Sequence, residues 1–212
     1  MCGSRSALCM GLSIILGSMT LSARGDEVYS RVEVMLTATS NLPAEVRAWM
    51  THEAAAIWRA QGVAIDWFPS TDVRPISPHR IRVLVVERRQ AAPGSRDEFA
   101  VGELLRPSNS DPVAITSIES ARRVVESVRG RSGYELIAVD NRRLGLVLGR
   151  ALAHEIGHYL LDTHTHARQG LMRPQFNARE FTDLRDGIFA LDRKASEWLK
   201  SRAASDRFAY AN

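Results

Sequence analysis

Thiols are almost missing from this chain. Its 212 residues include two cysteines, Cys2 and Cys9, and both fall in the first ten positions. The rest of the chain therefore offers neither a disulfide framework nor a thiolate metal site. Any metal held there must be bound by His, Asp or Glu. A basic stripe interleaved with aromatics is also missing. The arginines are scattered, with short clusters at Arg88-Arg89, Arg122-Arg123 and Arg142-Arg143, so no nucleic-acid partner is expected. There is no internal repeat and no low-complexity tract. The longest apolar run, Ala7 to about Leu21, is interrupted by Gly11, Ser13, Gly17 and Ser18. It is too short and too broken to be expected to persist as a membrane span.

That run has another reading. "MCGSRSALCMGLSIILGSMTLSARGDE" places Arg5 before the apolar stretch, small residues at Ala23 and Gly25, and charge at Asp26-Glu27. This is the layout of a secretory signal peptide with cleavage after Ala23 or Gly25. The expectation is a leader over 1–25 and an exported protein, periplasmic or secreted. An uncleaved anchor is the alternative, and lipidation at Cys9 is disfavoured because the small residues that precede a lipidated cysteine are missing. The net charge of +4 includes Arg5 and Arg24; without them 26 basic residues face 24 acidic ones, a net of +2. With 45% hydrophobic and 25% charged residues, the composition suits one folded domain over 26–212, expected to be a monomer.

Periodicity gives the order of elements. "VYSRVEVML" (28–36) alternates and predicts a strand. A helix should follow, capped by Asn41 with Pro43 in its first turn, apolar at Val46, Trp49, Met50 and Ile57, and closed by Gly62. "VAIDWF" (63–68) and "RIRVLVVE" (80–87) read as strands. "FAVGELL" is a candidate edge strand and "PVAITSI" (112–118) a further strand. A helix is predicted from Glu119 to Gly130. Apolar residues then run nearly all round a helix from Leu144 to Leu161, as in the centre of a domain. Phe181, Leu184, Ile188, Leu191, Ala195 and Trp198 step by three and four residues, which predicts one amphipathic C-terminal helix over about 180–201.

The chemistry is concentrated in "GRALAHEIGHYLLDTHTHARQGLMRP", 149–174, which holds four of the six histidines. His154 and His158 are four apart, so a helix presents both on one face. Two imidazoles placed so can share a tetrahedral Zn²⁺. Glu155 follows the first of them and can act as general base towards a metal-bound water, then return the proton to a leaving amine. Two imidazoles and a carboxylate in an otherwise apolar helix would be costly without such a purpose. Satisfied polar residues on a partly exposed helix are the bland alternative.

From His154 to Pro174 the chain resembles the metzincin metallopeptidases, whose signature is His-Glu-x-x-His-x-x-Gly-x-x-His followed by a Met-containing turn. His164 stands where that signature has its third histidine, and Met172 falls within "GLMRP". Leu161 departs from it, because the family has a glycine there to turn the chain in a left-handed conformation. With leucine the helix should continue to Asp162 or Thr163, and a later ligand, His166, becomes the favoured third histidine, with His164 the alternative. The segment also looks like a looser group of exported bacterial proteins with "HEIGHYLL…H…GLM", whose histidine occupies the His166 position. The resemblance implies an α/β (α+β) zincin with a mixed twisted sheet, an active-site helix over about 140–162 and a Met-turn over about 170–174. Met172 would then floor the metal. It implies a zinc-dependent peptidase acting on peptide or protein substrates, with an extended peptide pairing along "FAVGELL" or "PVAITSI". An exported zinc-binding or inactive peptide-binding module is the first rival, and a metal-free interaction protein the second. His52 and His79 match nothing in the motif. Asp162 is a candidate partner for a ligand histidine, and Tyr159 a core residue.

Overall fold

The structure is a computed structural model and describes residues 30–38, 42–72, 79–88, 101–108, 110–128, 137–183 and 188–209. The leader over 1–25, the Asn41 cap, the first two residues of "FAVGELL", Gly130 and Leu184 lie outside the described residues.

Among the described residues, five strands form one mixed sheet: β1 (Ser30–Ala38), β2 (Val63–Pro69), β3 (Arg80–Val86), β4 (Gly102–Leu105) and β5 (Val113–Ser117). Their order is β2-β1-β3-β5-β4. The first four in that order are parallel neighbours, and β4 alone runs antiparallel, against β5. Of the two segments considered for peptide pairing, β5 is therefore internal, hydrogen-bonded on both sides, and β4 is the edge. β-Branched residues fill the middle of the sheet, where Val32, Val34, Ile81, Val83 and Val85 are buried.

Helix α1 (Ala44–Arg59) follows β1, and Pro43 stands at its N-cap position in extended conformation. Its buried stripe is Val46, Met50, Ala54 and Trp58. Fully burying Val46 and Met50 contributes about 1.5–3 kcal/mol each over exposure. The stripe meets α3 (Ile137–Leu160), the 24-residue helix that carries the histidines. Contact is close because α3 is nearly bare along one ridge. A Cβ on Gly145 would fall 2.4 Å from Trp49 Cβ, and one on Gly149 would fall 2.7 Å from the Met50 carbonyl oxygen. One turn further, Trp58 Nε1 donates to the Ala153 carbonyl at 3.0 Å. α2 (Ile118–Val128) follows β5 and also packs on α3. Among the described residues, no helix is long and apolar enough to cross a membrane.

The expected single C-terminal helix over about 180–201 is instead two, α4 (Ala178–Thr182) and α5 (Arg193–Ala209). Two caps override the apolar periodicity. Asn177 and Glu180 form a capping box that starts α4, and the Asp192 side chain accepts from Ala195 N–H to start α5. Asp183 is extended, and the carbonyls of Glu180 and Phe181 accept from the buried Arg150 guanidinium at 3.0 and 2.9 Å. A continuing helix would need those carbonyls itself. Ile188 and Trp198, expected in the apolar stripe, are exposed, whereas Phe189 is buried beneath Arg150.

Gly149→Val should force Met50 and Glu53 away from α3, destabilising by about 1–3 kcal/mol and lowering the Tm by several degrees. An unchanged Tm in thermal unfolding would contradict backbone contact between α1 and α3.

Candidate metal centre

Helix α3 presents His154, Glu155 and His158 within its last two turns. Helical bonding persists as far as Leu161 N–H to the Gly157 carbonyl, and the chain then reverses at Asp162, whose φ is 47°. Asp162 N–H bonds back to the Tyr159 carbonyl and Thr163 N–H to the His158 carbonyl. Those two bonds define a Schellman cap, here with aspartate where glycine is usual. The left-handed residue is thus one place later than in the metzincin signature. The Thr163 hydroxyl then accepts from Thr165 N–H, and Ala167 N–H bonds the Met172 carbonyl. This compact loop brings His166 back over the helix.

His154, His158 and His166 come together: one potential ligand atom from each lies within 4.8 Å of the others. The ring centroid of His166 is 5.3 Å from that of His154 and 4.9 Å from that of His158. His164 is exposed and is not part of this group. His52 lies edge-on to Trp49 on α1, and His79 is likewise outside the cluster.

Backbone carbonyls orient two of the rings. His154 Nδ1 lies 2.7 Å from the Leu171 carbonyl oxygen, and His158 Nδ1 lies 2.8 Å from that of Thr163. A carbonyl can only accept, so each Nδ1 carries the proton and each Nε2 exposes a lone pair. The two Nε2 atoms are 3.1 Å apart. Two facing lone pairs repel unless a cation lies between them. Tetrahedral zinc at about 2.0–2.1 Å from each nitrogen would set them about 3.3 Å apart. The donor set fits a metal of this kind. Burial is the main force lowering the pKa of both rings, and it takes His158 down to about 4, so both are neutral at pH 7. Neutral imidazole is the ligating form.

The surroundings use each residue of "GLM" differently. Gly170 has φ 75° and packs its Cα against the Ala190 carbonyl, where a Cβ would fall at 2.2 Å. Leu171 supplies the carbonyl to His154. Met172 is buried with its Sδ against Gly157, in the helix turn between the two histidines; a Cβ there would fall 2.4 Å from the sulfur. Glu155 is only 7% exposed. The β4 backbone crosses beside it so closely that a Cβ on Gly102 would lie 2.9 Å from Glu155 Cγ and Oε1. Tyr159 is half-buried against the core. Asp162, a candidate partner for a ligand histidine, instead accepts from Arg106 Nη1 at 2.6 Å, and backbone carbonyls face the Nδ1 atoms of His154 and His158.

Sequence reasoning missed Gly102 and Arg106. A glycine inside a strand signals close approach of another group, so Gly102 had a readable sign. Arg106 had none.

His158 titrates lower in the folded chain than in the unfolded one, so the unfolded state binds the proton first as pH falls. Stability of metal-free protein present above pH 6.5 should therefore be lost as pH falls towards about 4. Urea unfolding across that window should show a smaller loss in His158→Gln; equal losses would contradict the burial argument.

Comparison with known proteins gave no matching family model and no matching curated protein. Among solved structures, the chain is similar to archaemetzincin from Methanopyrus kandleri, with a TM-score of 0.49 and 14% identity over 87% of this chain and 99% of that one. At that degree of likeness, any functional reading has to stand on the geometry of the site itself.

Proposed function

We propose that this chain is a zinc-dependent, metzincin-like metallopeptidase in which His154, His158 and His166 hold the metal and Glu155 is the general base. The observation that carries this reading is the convergence of three imidazole ligand atoms within 4.8 Å, beside a buried glutamate on the same helix. Bound there, zinc would supply Lewis acidity that polarises a carbonyl and brings the pKa of water towards about 7. Glu155 then takes a proton from the attacking water and passes it to the departing amine, so one carboxylate serves as base and then acid. Its burial beside β4 restricts the carboxylate to few positions, which favours proton transfer in a fixed geometry.

The substrate in this reading is a peptide. Among the described residues β4 is the outermost strand on its side of the sheet, and an extended chain added along it would run past Glu155. Main-chain hydrogen bonds would supply affinity with limited dependence on sequence. The leader-like residues 1–25 support export to the periplasm or beyond as part of the same proposal.

Glu155→Ala is expected to keep its zinc and lose about 10²–10⁴-fold in peptide turnover, and chelation should abolish wild-type activity. Cleavage that is equal in both proteins and indifferent to metal would sink the peptidase reading. Zinc uptake without cleavage of any peptide in a diverse library would favour the peptide-binding rival. Gly102→Ala should push Glu155 aside and lower kcat by about tenfold or more. Its zinc content should match wild type, and full activity in that variant would contradict the role given to the β4 approach.

A further inference from the structure

Arg106 follows the last residue of β4 and reaches across to the C-terminal end of α3. Nη1 donates to Asp162 Oδ1 and Nη2 to the His158 carbonyl, both at 2.6 Å. Asp162 is the one non-glycine with positive φ among the described residues. Its carboxylate is 62% exposed, and an ion pair so open to water contributes little by attraction alone. The other arm of the fork matters more. It ends on the backbone of a residue whose ring belongs to the histidine cluster, at the negative end of the helix dipole. The same carbonyl accepts from Thr163 N–H, while the Thr163 carbonyl orients His158 Nδ1. Three residues later the loop delivers His166.

We propose that Arg106 is a positioning residue for the metal centre, clamping the left-handed Asp162 to the His158 carbonyl and so fixing the turn that orients His158 and presents His166. A side chain just past β4 does here what a turn glycine would do through conformational freedom. The inference rests on the metallopeptidase reading, and it predicts a defect in metal affinity that appears before any substrate is added. It also makes β4 a shared element, with Gly102 against the base and Arg106 on the ligand turn.

The test is zinc affinity of the full chain, measured by competition with a chromophoric chelator. Arg106→Gln should weaken zinc binding by about 10–100-fold, and Arg106→Lys, which keeps the charge but loses the planar fork, should fall between it and wild type. Asp162→Gly places a residue at ease with positive φ at the turn and should bind zinc within about threefold of wild type. In that background Arg106→Gln should cost at least about fivefold less than it does alone. If Arg106→Gln does not fold, Arg106→Lys with and without Asp162→Gly makes the same comparison. In metal-free protein, the ¹⁵N signals of His158 should report one fixed tautomer in wild type and exchange in Arg106→Gln.

Affinity of Arg106→Gln within about threefold of wild type overturns the inference. So does an undiminished loss in the Asp162→Gly background. Both results leave the metallopeptidase reading standing, whereas a wild-type chain that takes up no zinc removes that reading and this inference together.

Discussion

Helix α3 lacks side-chain bulk along one line, and its neighbours therefore touch its backbone. Gly145, Gly149, Ala153 and Gly157 recur every four residues, one ridge of the helix surface. Trp49, Met50 and Glu53 of α1 close on the first two, Trp58 reaches the carbonyl of the third, and Met172 seats its sulfur on the fourth. The ridge thus packs α1 at one end and the turn before Pro174 at the other. Met172, seated on Gly157, directly follows Leu171, whose carbonyl lies 2.7 Å from His154 Nδ1. The packing of the helix and the orientation of its first histidine are one constraint.

Charge completes what packing begins. Arg150, fully buried one turn before His154, pairs with Glu53 of α1 at 2.6 Å and takes the Glu180 and Phe181 carbonyls of α4. A buried guanidinium is costly without full pairing, and here an ion pair, two carbonyls and the face of Phe189 surround it. It ties the C-terminal segment to α3 from one side, and Arg106, just past β4, reaches the far end of the same helix. The candidate metal centre lies between two arginine clamps, on a helix whose neighbours touch its backbone. Such support is what holds converging lone pairs together.

Much of this was legible in the residues themselves. Alternation placed β1, short strand-like runs placed β2, β3 and β5, and the His-Glu-x-x-His spacing placed three polar groups on a buried helix. The substitution of leucine for a turn glycine at position 161 pointed to a later reversal, which the structure places at Asp162. The C-terminal region was misread for a physical reason. Apolar spacing of three and four residues reports which side chains face inward, and says nothing of where carbonyls are taken by a distant arginine. Arg150 and Asp192 end one helix and begin another within an unbroken periodic pattern. Gly102 signalled a close approach by standing inside a strand, but not that its partner is Glu155, 53 residues away, and Arg106 gave no sign of His158, 52 residues away. Local pattern carries no trace of such pairs.

In the proposed centre three imidazoles from this one loop and helix share a zinc ion. X-ray absorption of the zinc-loaded chain counts imidazoles through their multiple scattering and measures the Zn–N distance. Three imidazoles at about 2.0–2.1 Å are predicted for wild type, with two in His166→Ala and three still in His164→Ala. Two imidazoles in wild type, or the loss of one in His164→Ala with none lost in His166→Ala, would contradict the account.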